Sequence, residues 1–478
     1  MAEQELNFSV SGKYAQYLNL WQKLGMILAL SGTGIILITW GGVSLTNNAA
    51  WLTVVILSIF IGTVMFTYGT YAGKTAGIKN DGVYFRSHTA RGAIGWAVGI
   101  VLTAFYVFLY WFPSYLGYQT GVNGTNEGLI ALFDPLSYFF KGKPASQWFV
   151  YGSIYTLVIV SLGIKFIVKY RHNRYHIIRT ISVMIAQLGL AYLVPEILAG
   201  MNYNDVSQGG EYLGWYDADL KNVWPLDYDF FYGWHLDAMQ QKAYQPIGMI
   251  YLVWGILLFL IVTPIITYFV GKRWYCSWVC GCGGLAETAG DPYRHLSSKK
   301  LSAWKLERWL IHAVLVLVFL MTAVTLYGYF FNTGTFFGLE IYTYFQKPYG
   351  FVIGAIFSGI VGVGFYPLLG NRVWCRFGCP MAAYMGIIQR FKSRFRITTN
   401  GGQCISCGNC STYCEQGIDV RAYAQKGQNI VRASCVGCGV CSAVCPRGVL
   451  KLENGPEEKR LGNEGPIVLG NDGFKIEK

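Results

Sequence analysis

The chain is poor in charge. Asp, Glu, Lys and Arg make up only 13% of its 478 residues, whereas an average soluble protein has about 25%. Apolar and aromatic residues make up 53%. Because a water-exposed surface needs far more charge, this composition excludes an ordinary soluble enzyme and indicates a polytopic membrane protein.

Several functional signatures are also missing. The sequence has no Walker loop, nucleophile–base motif or dinucleotide fingerprint. Its formal charge of +13 is not gathered into a basic stripe or a recognition module, so no nucleic-acid partner is predicted. Of six histidines, only His312 lies well inside an apolar run, whereas two b-type haems need axial pairs. Residues 1–23 are polar, and we expect no cleavable signal peptide.

Eight apolar stretches are long enough to cross a bilayer as helices. Lys and Arg gather in alternate connections, and basic connections mark the cytoplasmic side. Both termini are therefore predicted to be cytoplasmic, in the inner membrane. The eight stretches are 24–46, 51–72, 93–117, 148–168, 180–200, 246–271, 309–331 and 350–370. The basic connections are 73–92, 169–179, 272–308 and 371–396.

Two outer segments have a composition of their own. Residues 129–147 interleave aromatic and polar side chains, as an interfacial helix or a re-entrant segment does. Residues 201–245 are rich in Trp, Tyr and Asp, which suits a loop docked at the membrane–water interface or, alternatively, a surface for a partner.

The thirteen cysteines are the strongest signal. From about residue 397 the chain becomes polar, and it carries two copies of C-x₂-C-x₂-C-x₃-C. With this spacing, three thiolates of one loop bind one [4Fe–4S] cluster and the fourth thiolate binds the other cluster. The predicted ligand sets are Cys404, Cys407, Cys410 and Cys445 for the first cluster, and Cys435, Cys438, Cys441 and Cys414 for the second. Two zinc sites are the alternative, but structural zinc favours well-separated C-x₂-C pairs.

A second constellation is an internal repeat of the form G-x-R-x-aromatic-C-x₃-C. One copy runs over 271–280 and the other over 370–379, each where an apolar stretch ends on the predicted cytoplasmic side. We predict that the four cysteines converge just below the bilayer surface and hold a redox-active metal centre. Arg273 and Arg372 would lower the pKa values of these thiols. The predicted ligands are Cys276, Cys280, Cys375 and Cys379, with Cys282 as an alternate. An iron–sulfur cluster is favoured, while copper, a redox-active thiol pair and inert buried cysteines stay open.

These motifs resemble the membrane-bound polyferredoxin family of the NapH and NosR types. In that family two membrane-edge C-x₃-C-P motifs precede a cytoplasmic double [4Fe–4S] ferredoxin. The resemblance covers about residues 246–450. The sequence departs from the pattern at Gly281, where the first edge motif lacks its Pro, and at Glu415, which follows Cys414 where Pro is usual. The resemblance implies electron transfer between the quinone pool or cytoplasmic donors and a partner enzyme.

A quinone site needs a proton acceptor beside an apolar slot. Ionisable groups inside a membrane are costly and point to function. His312, at the predicted depth of the edge cysteines, is the first candidate, and Glu196 on the outer side is the second.

The predicted fold is an α-helical membrane domain of eight spans with a C-terminal α+β double-[4Fe–4S] ferredoxin domain. We divide the chain into membrane region 1–245, membrane core 246–396, ferredoxin domain 397–450 and polar tail 451–478. The predicted function is that of a non-catalytic electron-transfer subunit, in contact with lipid and with other subunits of a redox complex. A copper-handling assembly factor and a redox-sensing membrane regulator are the alternatives.

Overall fold

A computed structural model describes residues 18–73, 92–119, 125–207, 215–400, 403–454, 467–470 and 473–476. The basic connection between the second and third spans lies outside these ranges. Most of the polar N-terminus and most of the tail lie outside them as well. Within them, eight helices have the length and composition of membrane spans, which confirms the predicted architecture. The spans are Leu20–Trp40, Asn48–Tyr71, Ala93–Trp111, Gln147–Lys169, Arg174–Asn202, Ile247–Phe269, Leu301–Phe330 and Tyr342–Gly364.

The span boundaries differ from the predicted ones where helical geometry changes. The fifth and sixth spans contain π-helical turns at Ala186–Leu193 and Leu258–Val262. The eighth span begins eight residues earlier than predicted, and most of it is π-helical, over Gly350–Gly364. Wide π turns are frequent at functional sites, and all three of these spans pack around the cysteine segments described below.

The first outer segment folds as a helix, Gly128–Lys141, after a 3-10 turn at Pro113–Leu116. Leu129, Ile130 and Leu132 on this helix are fully buried. They pack in one cluster with side chains of the first five spans, among them Phe149 and Tyr192. The helix therefore closes the outer end of the N-terminal half of the bundle.

The second outer segment enters the bundle. Its helices Gly233–Gln240 and Lys242–Tyr244 lie at the outer end, but the chain before them runs inward. Trp224 donates to Thr322 Oγ1 of the seventh span at 2.9 Å, and its ring lies 4.6 Å from that of Phe259 in the sixth. An outer hairpin, Thr335–Phe336 paired with Leu339–Glu340, joins the last two spans.

Each copy of the repeat forms two short helices with a tight turn between them. In the first copy these are Trp274–Trp278 and Gly281–Thr288, followed by a 3-10 turn at Asp291–Leu296. In the second copy they are Val373–Phe377 and Pro380–Lys392, preceded by Tyr366–Leu369. Both copies are therefore re-entrant segments, which leave one side of the bundle and return to it.

The C-terminal unit is small and of α+β type. Strand Phe395–Thr399 pairs antiparallel with Leu450–Asn454, so the sheet extends beyond the predicted limits of 397 and 450. Short helices Asn409–Thr412, Val420–Gln425 and Val440–Ala443 lie between the strands. Strands Ile467–Gly470 and Gly473–Ile476 form a final antiparallel pair.

Candidate metal centres

The two cysteine loops of the C-terminal unit have the same backbone fold. Ser406 and Gly437 occupy equivalent positions with φ of 60° and 69°, and Gly408 and Gly439 follow with φ of 76° and 75°. Left-handed backbone at these positions wraps each loop tightly and aims successive cysteines at one point. Gly408 and Gly439 each cap a short helix that carries the third cysteine of its motif.

The crossed ligand sets lie around two separate cavities. The first cavity is lined by Cys404, Cys407, Cys410 and Cys445. The second is lined by Cys414, Cys435, Cys438 and Cys441. In each case three thiols come from one loop and the fourth from the other, as a cubane pair needs. The residues present therefore fit two [4Fe–4S] clusters.

The two cavities differ in exposure. Cys407 of the first set is exposed, whereas Cys435 and Cys441 of the second set are buried. The second loop also faces the membrane domain, since Tyr175 Oη of the fifth span donates to Gly437 O at 2.9 Å. The first cluster site thus has an exposed ligand, and the second adjoins the bundle of spans.

The two copies of the repeat place their cysteines alike. Cys276 and Cys375 each lie in the middle of a five-residue helix. Cys280 and Cys379 each cap the next helix, and Cys379 Sγ accepts from Ala382 N at 3.4 Å. Free N–H groups at a helix N-terminus favour a thiolate.

The two copies are held together by reciprocal arginine contacts. Arg273 Nη1 of the first copy donates to Cys375 O of the second at 3.1 Å. Arg372 Nη1 of the second copy donates to Cys276 O of the first at 3.2 Å. The repeat therefore has an approximate twofold relation. The four cysteines lie in one buried cluster of side chains: Cys276, Cys280, Cys375 and Cys379.

The depth of this four-cysteine site differs from the prediction. Gly281, next to Cys280, packs against Tyr155 and Gln187; a Cβ there would lie 2.6 Å from Gln187 Oε1. These two residues lie well inside the fourth and fifth spans. The prediction of a site just below the bilayer surface is therefore wrong. The physical reason is the re-entrant turn, which carries the cysteines inward before the following helix returns.

Small residues make that inward turn possible. A Cβ on Gly283 would lie 1.8 Å from Cys276 O, and one on Gly284 would lie 2.4 Å from Val183 Cγ1. On the outer side the site is covered by the second outer segment, where Lys221 O accepts a hydrogen bond from Tyr275 Oη. Cys276, Cys375 and Cys379 are at most 4% exposed, which leaves the site closed to water.

The spacing of the four thiols bears on the kind of metal. Among the described residues, only Asp227, Asp229 and His235 bring three His, Cys, Asp or Glu ligand atoms within 4.8 Å of one another. Thiolates that share one tetrahedral zinc ion, at Zn–S of about 2.3 Å, lie about 4 Å apart. No three of the four thiols meet this limit, so they are not drawn together as the ligands of a single ion are.

A network of buried charge joins the two kinds of site. Arg372 Nη2 lies 2.8 Å from Glu287 Oε1 and 2.9 Å from Glu415 Oε1. Glu287 also pairs with Arg179, and Glu415 Oε2 lies 2.7 Å from Arg294. Burial alone would raise the pKa of Glu415, but Arg294 and Arg372 outweigh it and hold that pKa below its ordinary value. Both carboxylates were missed as site residues by the sequence analysis, although the departure at Glu415 was a visible signal.

The two quinone candidates have different surroundings. His312 lines a cavity of about 590 Å³ between the seventh span, helix Pro380–Lys392 and the C-terminal unit. Glu196 instead pairs with Lys141 on the outer side, away from the cysteines. His312 Nδ1 lies 2.5 Å from Arg308 O; since a carbonyl only accepts, Nδ1 donates this hydrogen bond, and Nε2 is the acceptor atom of the corresponding tautomer.

Comparison with known families supports this arrangement. A 4Fe-4S binding domain matches residues 252–303 and 349–398, so each copy of the repeat falls within one match. A 4Fe-4S dicluster domain matches residues 396–446, which contain both cysteine loops of the C-terminal unit. The prediction of two [4Fe–4S] clusters in that unit is confirmed, as is the resemblance to membrane-bound ferredoxin-type proteins.

Three relatives match about a third of the chain. YccM of Escherichia coli, named as a proposed electron transport protein, is 27% identical over 173 residues, which are 34% of this chain and 46% of YccM. The methylamine utilization ferredoxin-type protein MauN of Methylobacillus flagellatus is 30% identical over 153 residues, 31% of this chain and 50% of MauN. MJ0750 of Methanocaldococcus jannaschii, whose name gives no function, is 28% identical over 34% of this chain and 66% of its own length.

The match spans about half the length of the first two relatives. No solved structure matches the chain.

Proposed function

We propose that this protein is an electron-transfer subunit of a membrane redox complex. Electrons would pass between a cytoplasmic donor or acceptor, the two [4Fe–4S] clusters, the four-cysteine site and the quinone pool. The observation that carries the proposal is the arrangement of the cysteine sites: Cys407 of the first cluster site is exposed, whereas Cys435 of the second and the four-cysteine site are buried. This arrangement describes a path from the exposed face of the C-terminal unit into the bundle of spans.

The docking of the C-terminal unit supports that path. Lys272 Nζ donates to Ile430 O at 2.8 Å, and Arg273 Nε donates to Ala433 O at 2.8 Å. Ser277 Oγ reaches Val436 O at 3.4 Å. The first repeat copy is thereby fixed to the loop of the second cluster, so the distance between the two sites is set by the fold.

The chemistry of the ligand sets favours electron transfer over bond-making. Each cavity of the C-terminal unit offers four thiols, which fill the protein-ligand positions of a cubane and leave no open iron for substrate. For the four-cysteine site we propose an iron–sulfur cluster, because each repeat copy lies within a match to a 4Fe-4S binding domain. The names of YccM and MauN as electron transport and ferredoxin-type proteins agree with this function.

The cavity beside His312 is our candidate quinone site. Its volume of about 590 Å³ lies within the range of about 300–1,000 Å³ for small-molecule pockets. Its walls include Trp304 and Ile311 and also Arg273 and Ser434. Arg273 contacts the four-cysteine site and Ser434 adjoins the ligand Cys435, so a quinone here would lie between the two metal sites.

Replacing His312 with glutamine should slow quinol oxidation strongly. His312 Nε2 is the proton acceptor that we assign to the quinol, and a positioned acid–base group contributes about 10²–10⁴-fold to a rate. The measurement is the rate of cluster reduction by a soluble quinol, with iron content and EPR spectra recorded on the same sample. His172→Gln, on an exposed connection, is the matched control. Equal rates in the two variants would contradict the assignment.

Of the two alternative functions, copper handling has the more specific test. Metal analysis of the cysteine variants, described in the Discussion, decides between copper and iron. The structure offers no observation that favours a redox-sensing regulator.

For the orientation, we propose that the C-terminal unit and both termini are cytoplasmic. The unit contacts the basic connections through Lys272 and Arg376, and basic connections mark that side. A cysteine introduced at Gly470 should react with a membrane-impermeant maleimide only after permeabilisation of the cells. A cysteine at Phe337, 91% exposed at the tip of the outer hairpin, should react in intact cells. The reverse pattern would invert the topology.

A further inference from the structure

Glu415 is the residue at which the second cluster loop departs from its usual sequence. The carboxylate directly follows the cluster ligand Cys414, yet Glu415 is 0% exposed. A buried carboxylate is costly unless it is paired. Its burial at this point of the chain therefore calls for a specific reason.

The partners of Glu415 all come from the membrane domain. Glu415 Oε2 lies 2.7 Å from Arg294 Nη1, and Glu415 Oε1 lies 2.9 Å from Arg372 Nη2. Asn371 Nδ2 donates to Glu415 Oε2 at 3.4 Å. A proline at this position would make none of these contacts. The departure from the usual sequence thus creates ion pairs that connect the C-terminal unit with the bundle.

Arg372, one of the two arginines paired with Glu415, also contacts the four-cysteine site. Its Nη1 atom donates to Cys276 O at 3.2 Å and lies 3.9 Å from Cys375 Sγ. One guanidinium therefore touches the four-cysteine site, and its other nitrogen touches the residue next to Cys414. A single ion pair therefore links Glu415, the covalent neighbour of Cys414, with Arg372, which contacts Cys276 and Cys375.

We propose that Glu415 is a positioning residue that fixes the second cluster to the four-cysteine site through Arg372 and sets the potential of that cluster. The inference rests on the proposed electron transfer between the two sites. In that step one electron leaves the reduced cluster and enters the four-cysteine centre, and no covalent bond or proton changes place. Since a reduced cluster carries one more negative charge, the nearby Glu415 carboxylate disfavours the reduced form of the second cluster.

The test is Glu415→Gln in the full-length, detergent-solubilised protein. Glutamine keeps the shape and removes the charge, so the second cluster should become easier to reduce. We expect its reduction equilibrium to shift by about tenfold, which is 59 mV for one electron. The first cluster should shift much less, because its ligand Cys407 lies on the exposed side. The measurement is an EPR-monitored potentiometric titration with dithionite as the reductant.

Two further variants separate charge from shape. Glu415→Asp keeps the charge and should leave the potential near that of the unmodified protein, whereas Glu415→Pro, the residue usual at this position, should shift it as glutamine does. Asp134→Asn removes a carboxylate on the outer side, where Asp134 accepts from Asn126 and Ala145, and should shift neither cluster.

The titration uses a chemical reductant, so it gives a result even where the quinone assignment fails. An unchanged potential of the second cluster in Glu415→Gln, with both clusters retained, would overturn the inference. Equal shifts in both clusters would also overturn it, because they would indicate a general loosening of the unit. Loss of iron from the four cysteines in the unmodified protein would instead contradict the proposed function.

Discussion

Replacing Cys375 with alanine should lower the bound iron from about twelve to about eight atoms per chain, since each [4Fe–4S] cluster holds four. Cys375 is 4% exposed and lies among the other three thiols of the four-cysteine site. Without its thiolate, a cluster at that site would lack one of its four ligands. The eight cysteines of the C-terminal unit are untouched, so their two clusters should persist. Iron and acid-labile sulfide are measured on anaerobic preparations.

Cys282→Ala is the comparison variant, because Cys282 adjoins the same site but is only the alternate ligand of the first copy. We expect this variant to keep all of its iron. Loss of iron in Cys282→Ala together with retention in Cys280→Ala would make Cys282 the ligand of the first copy. Loss of copper rather than iron in Cys375→Ala would favour the metal-handling function, and an unchanged metal content would show that the site binds no metal.

The spans and the cluster loops are the parts that could be predicted from the sequence. Both are short-range patterns: an apolar run of about 20 residues forces a spanning helix, and C-x₂-C-x₂-C-x₃-C fixes the cubane ligands within one loop. The crossed fourth ligands, Cys414 and Cys445, follow from the same spacing and line the expected cavities.

The depth of the four cysteines could not be predicted in this way. Helices of five and eight residues, Trp274–Trp278 and Gly281–Thr288, are too short to show a periodicity. The run of small residues at Gly281, Gly283 and Gly284 was the available signal, since close packing needs side chains of this size. The inward course of Trp224 likewise depends on its contact with Thr322, 98 residues along the chain.

The buried ion pairs are also long-range features. Arg179 and Glu287 are 108 residues apart, and Arg372 and Glu287 are 85 apart. No local pattern connects a basic residue in one connection with an acidic residue in another. Only the duplicated arginines, Arg273 and Arg372, were visible as a pair, and the structure shows that each donates to a carbonyl of the other copy.

These buried cations outnumber the buried anions around the metal sites. Among the described residues, the buried basic side chains there are Arg179, Lys221, Lys272, Arg273, Arg294, Arg372 and Arg376, and the buried acidic ones are Glu287, Asp291, Glu307 and Glu415. A buried surplus of positive charge is costly unless anions lie nearby. Thiolate-ligated clusters carry such negative charge, so the charge balance fits metal centres on both sides of the network.

Replacing Glu287 with glutamine should destabilise the protein by about 3–5 kcal/mol, the usual cost of removing one partner from a buried ion pair. The Glu287 side chain is 3% exposed and pairs with both Arg179 and Arg372. Within the described ranges, Glu287 is the one carboxylate paired with Arg179, so the variant leaves that guanidinium buried without an opposite charge. Arg372 retains Glu415. The free energy of unfolding is measured by denaturant titration in detergent, followed through the absorbance of the clusters.

Glu340→Gln is the matched control for this experiment. Glu340 is exposed on the outer hairpin, and surface substitutions of this kind change the free energy of unfolding by at most about 0.5 kcal/mol. Glu287→Asp keeps the charge but shortens the side chain. Its decrease in the free energy of unfolding should therefore lie between those of the other two variants. A free energy of unfolding for Glu287→Gln equal to that of Glu340→Gln would show that the network contributes nothing to stability. In that case the buried charges would be retained for the metal centres alone.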